Sequence, residues 1–174
     1  ATPVDLATYT PVNFTAAELE TLKAVLDRLI PADDLGPGAN EMGVFVYMDR
    51  AIGGRSADSG PILKKGLAAL DTAAGSGGFK GLAADKQDAM LTTLEGGAIA
   101  GATGMPKEFF QTLITHTRIG MFCDPVWGGN VNFAGWDLMG YPGIKLEWTA
   151  EDQAINSTPK PQHISVAQYG GHAS

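Results

Sequence analysis

Thr15-Ala16-Ala17-Glu18 precedes Leu19, Leu22, Val25, Leu26, Leu29 and Ile30, and Pro31 follows directly. A threonine three residues ahead of a glutamate makes a capping box: its hydroxyl accepts from the Glu18 N–H while the Glu18 carboxylate reaches back to the Thr15 N–H. Steps of three and four place the six apolar residues on one face of a helix. Proline cannot continue that helix, so residues 15–30 carry a start, a face and a stop. A helix with one apolar stripe must bury it against another element, and this requirement constrains the chain most.

The remaining segments supply helical partners. Residues 31–39 hold Asp33, Asp34, Gly36, Pro37 and Gly38, a turn-forming composition that predicts a loop. Residues 40–52 are apolar too continuously for an alternating strand and predict a second helix capped by Asn40, with Gly53-Gly54 ending it. Pro61 suits the first turn of a third helix running to Ala74, stopped by Gly75-Ser76-Gly77-Gly78. A fourth spans 84–95, with Met90, Leu91 and Leu94 inward and Asp85, Lys86 and Asp88 outward. A fifth begins near Pro106 and sets Phe109, Phe110, Leu113, Ile114 and Thr117 at helical spacing, with Met121 and Phe122 closing it. The expected fold is all-α: one compact domain of about five helices over residues 14–145, an extended N-terminal arm over 1–13 and an extended C-terminal tail over 146–174.

Residues 123–145 differ in character. Gly128, Gly129, Gly135 and Gly140 alternate with Trp127, Phe133, Trp136 and Tyr141, and large rings need a surface to bury against. This segment is therefore expected to be an ordered loop rather than a linker, and so is 31–39.

Composition narrows the function classes. Hydrophobic residues at 44% and charged residues at 18% suit a folded core and exclude a charge-dominated disordered chain. A net charge of -7 repels phosphate backbones and anionic bilayers, which argues against nucleic acid as partner. The apolar run from Gly43 to Met48 is far shorter than the roughly 20 residues that span a bilayer, so membrane attachment is expected only through partners. Ala1-Thr2-Pro3-Val4-Asp5 reads as a mature start after a small-residue cleavage site, and a trimmed chain is the other reading. Cys123 stands alone in the sequence, which excludes an internal disulfide, every two-cysteine metal motif and the Cys-x-x-Cys-His attachment of haem.

The catalytic and cofactor motifs sought are not found. Gly75, Gly77 and Gly81 miss the dinucleotide fingerprint, whose third glycine falls where Lys80 stands. Asp33, Asp34 and Glu41 do not have calcium-loop spacing and read as turn formers and caps. His116, at the border of an apolar face, reads as a partly buried structural histidine; a base or metal ligand is the alternative. His163 and His172 lack the i, i+4 zinc arrangement. Cys123 reads as a small buried residue, or as an unpaired thiol able to cross-link to a partner chain.

Three motifs occur in order: Leu29-Ile30-Pro31-Ala32-Asp33-Asp34-Leu35-Gly36-Pro37-Gly38-Ala39; then Thr115-His116-Thr117; then Asp124-Pro125-Val126-Trp127-Gly128-Gly129-Asn130, leading to Gly135-Trp136 and Gly140-Tyr141-Pro142-Gly143. Together, over residues 14–145, they resemble the gluconate 2-dehydrogenase subunit 3 family. The sequence departs from that family's usual pattern at Trp127, where tyrosine is common, and at Cys123, where other small residues are expected. The resemblance implies a periplasmic, non-catalytic small subunit that supports folding, export or docking of an FAD-containing catalytic subunit of the glucose-methanol-choline oxidoreductase type. It implies no catalytic, cofactor-binding or metal residue on this chain; FAD would lie in the partner, and haem c in a membrane-anchored multihaem cytochrome where one is present. A subunit of a related glucoside or sugar dehydrogenase is an open alternative. So are a free-standing sugar-binding module stacking a ring on Trp127 and Trp136, and a small hydrolase using His116 with Asp124 or Cys123.

The partner interface is expected within 123–142. Its aromatic anchors are Trp127, Trp136 and Tyr141, and its turn residues are Gly128, Gly129, Asn130 and Pro142. Cys123, Asp124 and Pro125 lead into it, with Cys123 placed to form an intersubunit disulfide.

Overall fold

The computed structural model describes residues 4–99 and 106–169, and among these there are helices and loops but no β-sheet. Residues 1–3, His172 and the end of the tail, for which the sequence raised expectations, lie outside the described residues. Five long helices, α1 (Ala16–Leu29), α2 (Val44–Ile52), α3 (Ser59–Ala74), α4 (Ala84–Glu95) and α5 (Pro106–Phe122), are followed by two short ones, α6 (Ala134–Leu138) and α7 (Val166–Tyr169).

α1 forms as its sequence dictates. Thr15 accepts from Glu18 N–H at 3.2 Å, and the Glu18 carboxylate accepts from Thr15 N–H at 2.7 Å. Leu19, Leu22, Val25 and Leu26 are buried, and the helix ends one residue before Ile30-Pro31. α5 crosses the middle of the domain, packing on α2, α3, α4 and α6. Phe109 and Leu113 are fully buried on it, and a Cβ at Gly66 of α3 would collide with the Phe109 ring, so glycine there lets the two helices touch.

α2 starts three residues later than a helix capped by Asn40 would, and Asn40 is not its cap. Gly43, at φ 74°, is the residue before the helix, while the Asn40 amide donates to the Lys23 carbonyl at 2.8 Å and to Asp27 at 2.9 Å. The polar side chain finds tertiary partners on α1, and so it is not used for local capping. α3 starts at Ser59, with Pro61 in its first turn, and α4 occupies the residues its periodicity marks. Leu91 and Leu94 are buried there and Met90 is half-buried. The outward Asp88 pairs with Arg28 through two contacts of 2.7 and 2.8 Å.

The arm and the tail pack on the helices rather than trailing from them. Asp49 on α2, wholly buried, accepts from the Tyr9 hydroxyl and from the N–H groups of Val12, Asn13 and Phe14 at 2.6–2.9 Å. Gln162 N–H donates to the Pro142 carbonyl at 2.8 Å, and Val166 N–H donates to Asp124 at 2.8 Å.

Candidate functional site

The segment after α5 is built in two layers. In the inner layer Asn130, fully buried at φ 48°, acts as a strut: its amide donates to the Cys123 carbonyl at 2.8 Å, and its oxygen accepts from Gly135 N–H at 2.7 Å. Trp136 is 5% exposed and donates its indole N–H to the Phe122 carbonyl at 2.9 Å. Gly129 and Gly135 press on the end of α5, where an added Cβ would strike the carbonyl oxygens of Gly120 and Met121. Asp124 caps a short 3-10 turn over Pro125–Trp127 through Val126 N–H at 2.9 Å, and also accepts from the Ser165 hydroxyl at 2.5 Å.

The outer layer faces solvent. Trp127 is 47% exposed, with the Arg55 guanidinium 4.6 Å from its ring centroid, and Tyr141, 42% exposed, sets its edge against Trp136 at 5.0 Å. Leu138 and Met139, just before Gly140-Tyr141 in the chain, are also exposed. An added Cβ on Gly36 would lie 2.7 Å from a Leu138 methyl, so the 31–39 loop borders this surface, with Leu35 exposed on it.

The structure therefore divides the residues singled out by sequence. Trp127 and Tyr141 are free to meet a partner; Gly128, Gly129, Asn130 and Trp136 are buried inside the chain; Cys123, Asp124, Pro125 and Pro142 are half-buried. Leu138, Met139 and Leu35 escaped sequence reasoning. Their only signal was an apolar pair, Leu138-Met139, just ahead of Gly140, and one leucine within an otherwise polar turn.

The other candidates have structural partners. Asp33 accepts from Leu35 N–H at 2.8 Å and Glu41 from Gly38 N–H at 3.2 Å, the turn chemistry expected of them. His116 is 5% exposed; its Nε2 lies 3.0 Å from the Ser59 hydroxyl rather than on Asp124 or Cys123, its Nδ1 is buried without a partner, and burial holds its pKa below the ordinary value. Burial, together with the neighbouring Asp124 charge, pushes the Cys123 thiol up to about 11. Its sulfur lies 3.6 Å from the Gly120 carbonyl. His163 stacks on Phe133 with centroids 5.0 Å apart and bonds Asp137 at 2.7 Å. Among the described residues no group of three or more His, Cys, Asp or Glu side chains could hold a metal ion, and no helix is long and apolar enough to cross a membrane.

The family model described as gluconate 2-dehydrogenase subunit 3 matches residues 16–143, from the first turn of α1 to the turn after Tyr141. The chain belongs to the gluconate 2-dehydrogenase subunit 3 family. No curated protein and no solved structure matches it. The matched stretch contains both layers of the 123–142 segment and the 31–39 loop, so the subunit 3 match covers the candidate surface as well as the helical core. Membership makes this chain a component of an oxidoreductase complex with other subunits.

Proposed function

We propose that this chain is the non-catalytic small subunit of a periplasmic flavin-dependent sugar or sugar-acid dehydrogenase. In this reading it supports folding, export or docking of an FAD-containing catalytic subunit of the glucose-methanol-choline oxidoreductase type. That subunit oxidises the substrate and passes electrons onward, in some complexes to a membrane-anchored multihaem cytochrome c. The large subunit holds the substrate, so a glucoside or another sugar fits the small subunit as well as gluconate does.

One observation carries the docking role: Trp127, Leu138, Met139 and Tyr141 stand exposed on a frame built to hold them still. Exposed aromatic and long apolar side chains mark interaction surfaces, and rigid anchors lose little entropy when a partner covers them. His116 and Cys123 suit structural roles in this reading, one neutral and buried, the other held as a thiol.

Co-expression with a flavin oxidoreductase subunit of that type from the same source tests the proposal. The two are expected to co-purify, and the isolated small subunit is expected to bind no flavin and to oxidise no sugar with an artificial acceptor. A chain that turns over sugar by itself, or that never retains a flavin protein, sinks the reading.

A further inference from the structure

Behind the 3-10 turn of Pro125–Trp127 lies a cavity of about 420 Å³, within the range of small-ligand pockets. Its walls come from four separate parts of the chain: Val4 of the arm, Arg50 of α2, Val126 and Phe133 of the loop, and Gln168 of α7. The lining is mainly apolar, and among the described residues Arg50 is its one permanent cation.

Arg50 is placed there by its surroundings. Gly128 sits at φ 98°, and an added Cβ would lie 3.1 Å from an Arg50 guanidinium nitrogen, so the bare backbone leaves room for the side chain to lie along the loop. Among the described residues no carboxylate forms an ion pair with Arg50. His163, the other basic group in the wall, is already bonded to Asp137 at 2.7 Å. Asn132 and Phe133, which also line the cavity, have φ of 57° and 62°, a left-handed conformation that is costly for a bulky aromatic residue. Such backbone strain persists where surrounding structure enforces it, and it gathers at binding sites.

We propose that this cavity binds a small organic monoanion with a flat apolar body, an aryl carboxylate in chemical class, whose carboxylate pairs with Arg50 and whose ring packs among Val126, Val131 and Phe133. The guanidinium interacts with the Tyr9 hydroxyl but, among the described residues, has no carboxylate partner, so it can hold one carboxylate in a two-pronged pair, while the apolar share of the lining receives a ring. The Gln168 amide nitrogen supplies a further donor: the residue's oxygen already accepts from Ser165 N–H at 2.6 Å. This site requires no partner chain, and Pro125, Val126 and Gly128 in its wall adjoin Trp127 of the docking surface.

Titration of the full isotope-labelled chain with benzoate, followed by NMR, tests it. Benzoate is expected to shift the amide signals of Val126, Val131 and Gln168 saturably, while benzamide, its uncharged isostere, and acetate, which lacks the ring, bind at least about tenfold more weakly. Arg50→Gln is expected to weaken benzoate at least about tenfold with an unchanged melting temperature, and Arg50→Lys to weaken it less. Equal binding of benzoate and benzamide overturns the proposal, and that comparison requires no variant to fold. Shifts that map elsewhere, or none up to about 10 mM benzoate, far weaker than a millimolar site, overturn it as well.

Discussion

The Tyr9 hydroxyl donates to the Asp49 carboxylate at 2.6 Å, joining the N-terminal arm to the middle of α2. Asp49 is fully buried yet, among the described residues, carries no salt bridge; three backbone N–H groups of the arm complete its shell. A buried carboxylate is tolerated when several donors surround it. The arm is thereby stitched to the core by one side chain.

Asp49→Ala is expected to destabilise the chain by about 3 kcal/mol or more, because it leaves several donors without an acceptor. Burial alone raises the Asp49 pKa, but the hydrogen bonds from Tyr9, Phe14, Val12 and Asn13 outweigh it and the net shift is downward. A depressed carboxyl pKa gives stability that is present above the unfolded value of about 4 and is lost as pH falls through the folded value. Tyr9 shifts the other way, raised by burial and by Asp49, so its contribution holds below about pH 10 and is lost above it. Urea melts of wild type and Asp49→Ala should differ most at neutral pH and converge in acid.

Two tryptophans nine residues apart should behave oppositely. Trp136→Ala removes a buried ring and its bond to Phe122, so a loss of about 3–5 kcal/mol is expected. Trp127→Ala removes a half-exposed ring stacked on Arg55 and should change the thermal midpoint little, while weakening retention of the proposed flavin subunit by about 2 kcal/mol. Melting curves of the isolated chain and pull-down of the complex separate the two. Trp127→Ala that unfolds the chain and spares assembly would place the interface elsewhere.

Cys123, with its thiol pushed up to about 11, is about one part in a thousand thiolate at pH 8. It should react with an aromatic disulfide reagent roughly two orders of magnitude more slowly in the native chain than after denaturation. Labelling kinetics with and without urea check this. A band of summed mass on non-reducing electrophoresis of the complex would show that a partner cysteine nevertheless reaches it.

His116 is held neutral by burial, with its pKa below the ordinary value. Stability from a base of lowered pKa is present above the unfolded value of about 6.5 and is lost as pH falls through the folded one. His116→Gln can keep the contact to Ser59 without this titration, so its stability profile should be flatter on the acid side of about pH 6.5. Activity of an assembled complex carrying the variant should stay close to wild type; a thousandfold loss at normal stability would make His116 catalytic.

Features that depend on neighbours along the chain were legible in residue order alone. Thr15 and Glu18 cap α1 because they lie three residues apart; Leu91 and Leu94 face inward because they share a helical stripe; the Asp33 carboxylate turns the 31–39 loop by accepting from Leu35 N–H two residues on. The ordered character of 123–142 was also legible, since its rings required burial. What the rings would pack against was not, because the contacts are long-range. Trp136 turns inward because the Phe122 carbonyl at the end of α5 lies within reach, and Trp127 stays out on Arg55. Asn40 gives up its local cap to bond α1, Asp49 gathers an arm from 35 to 40 positions away, and Asp124 holds a tail 41 positions on. Only tertiary structure decided these, because a side chain's choice between a local and a distant hydrogen-bond partner rests on which groups folding brings within about 3 Å.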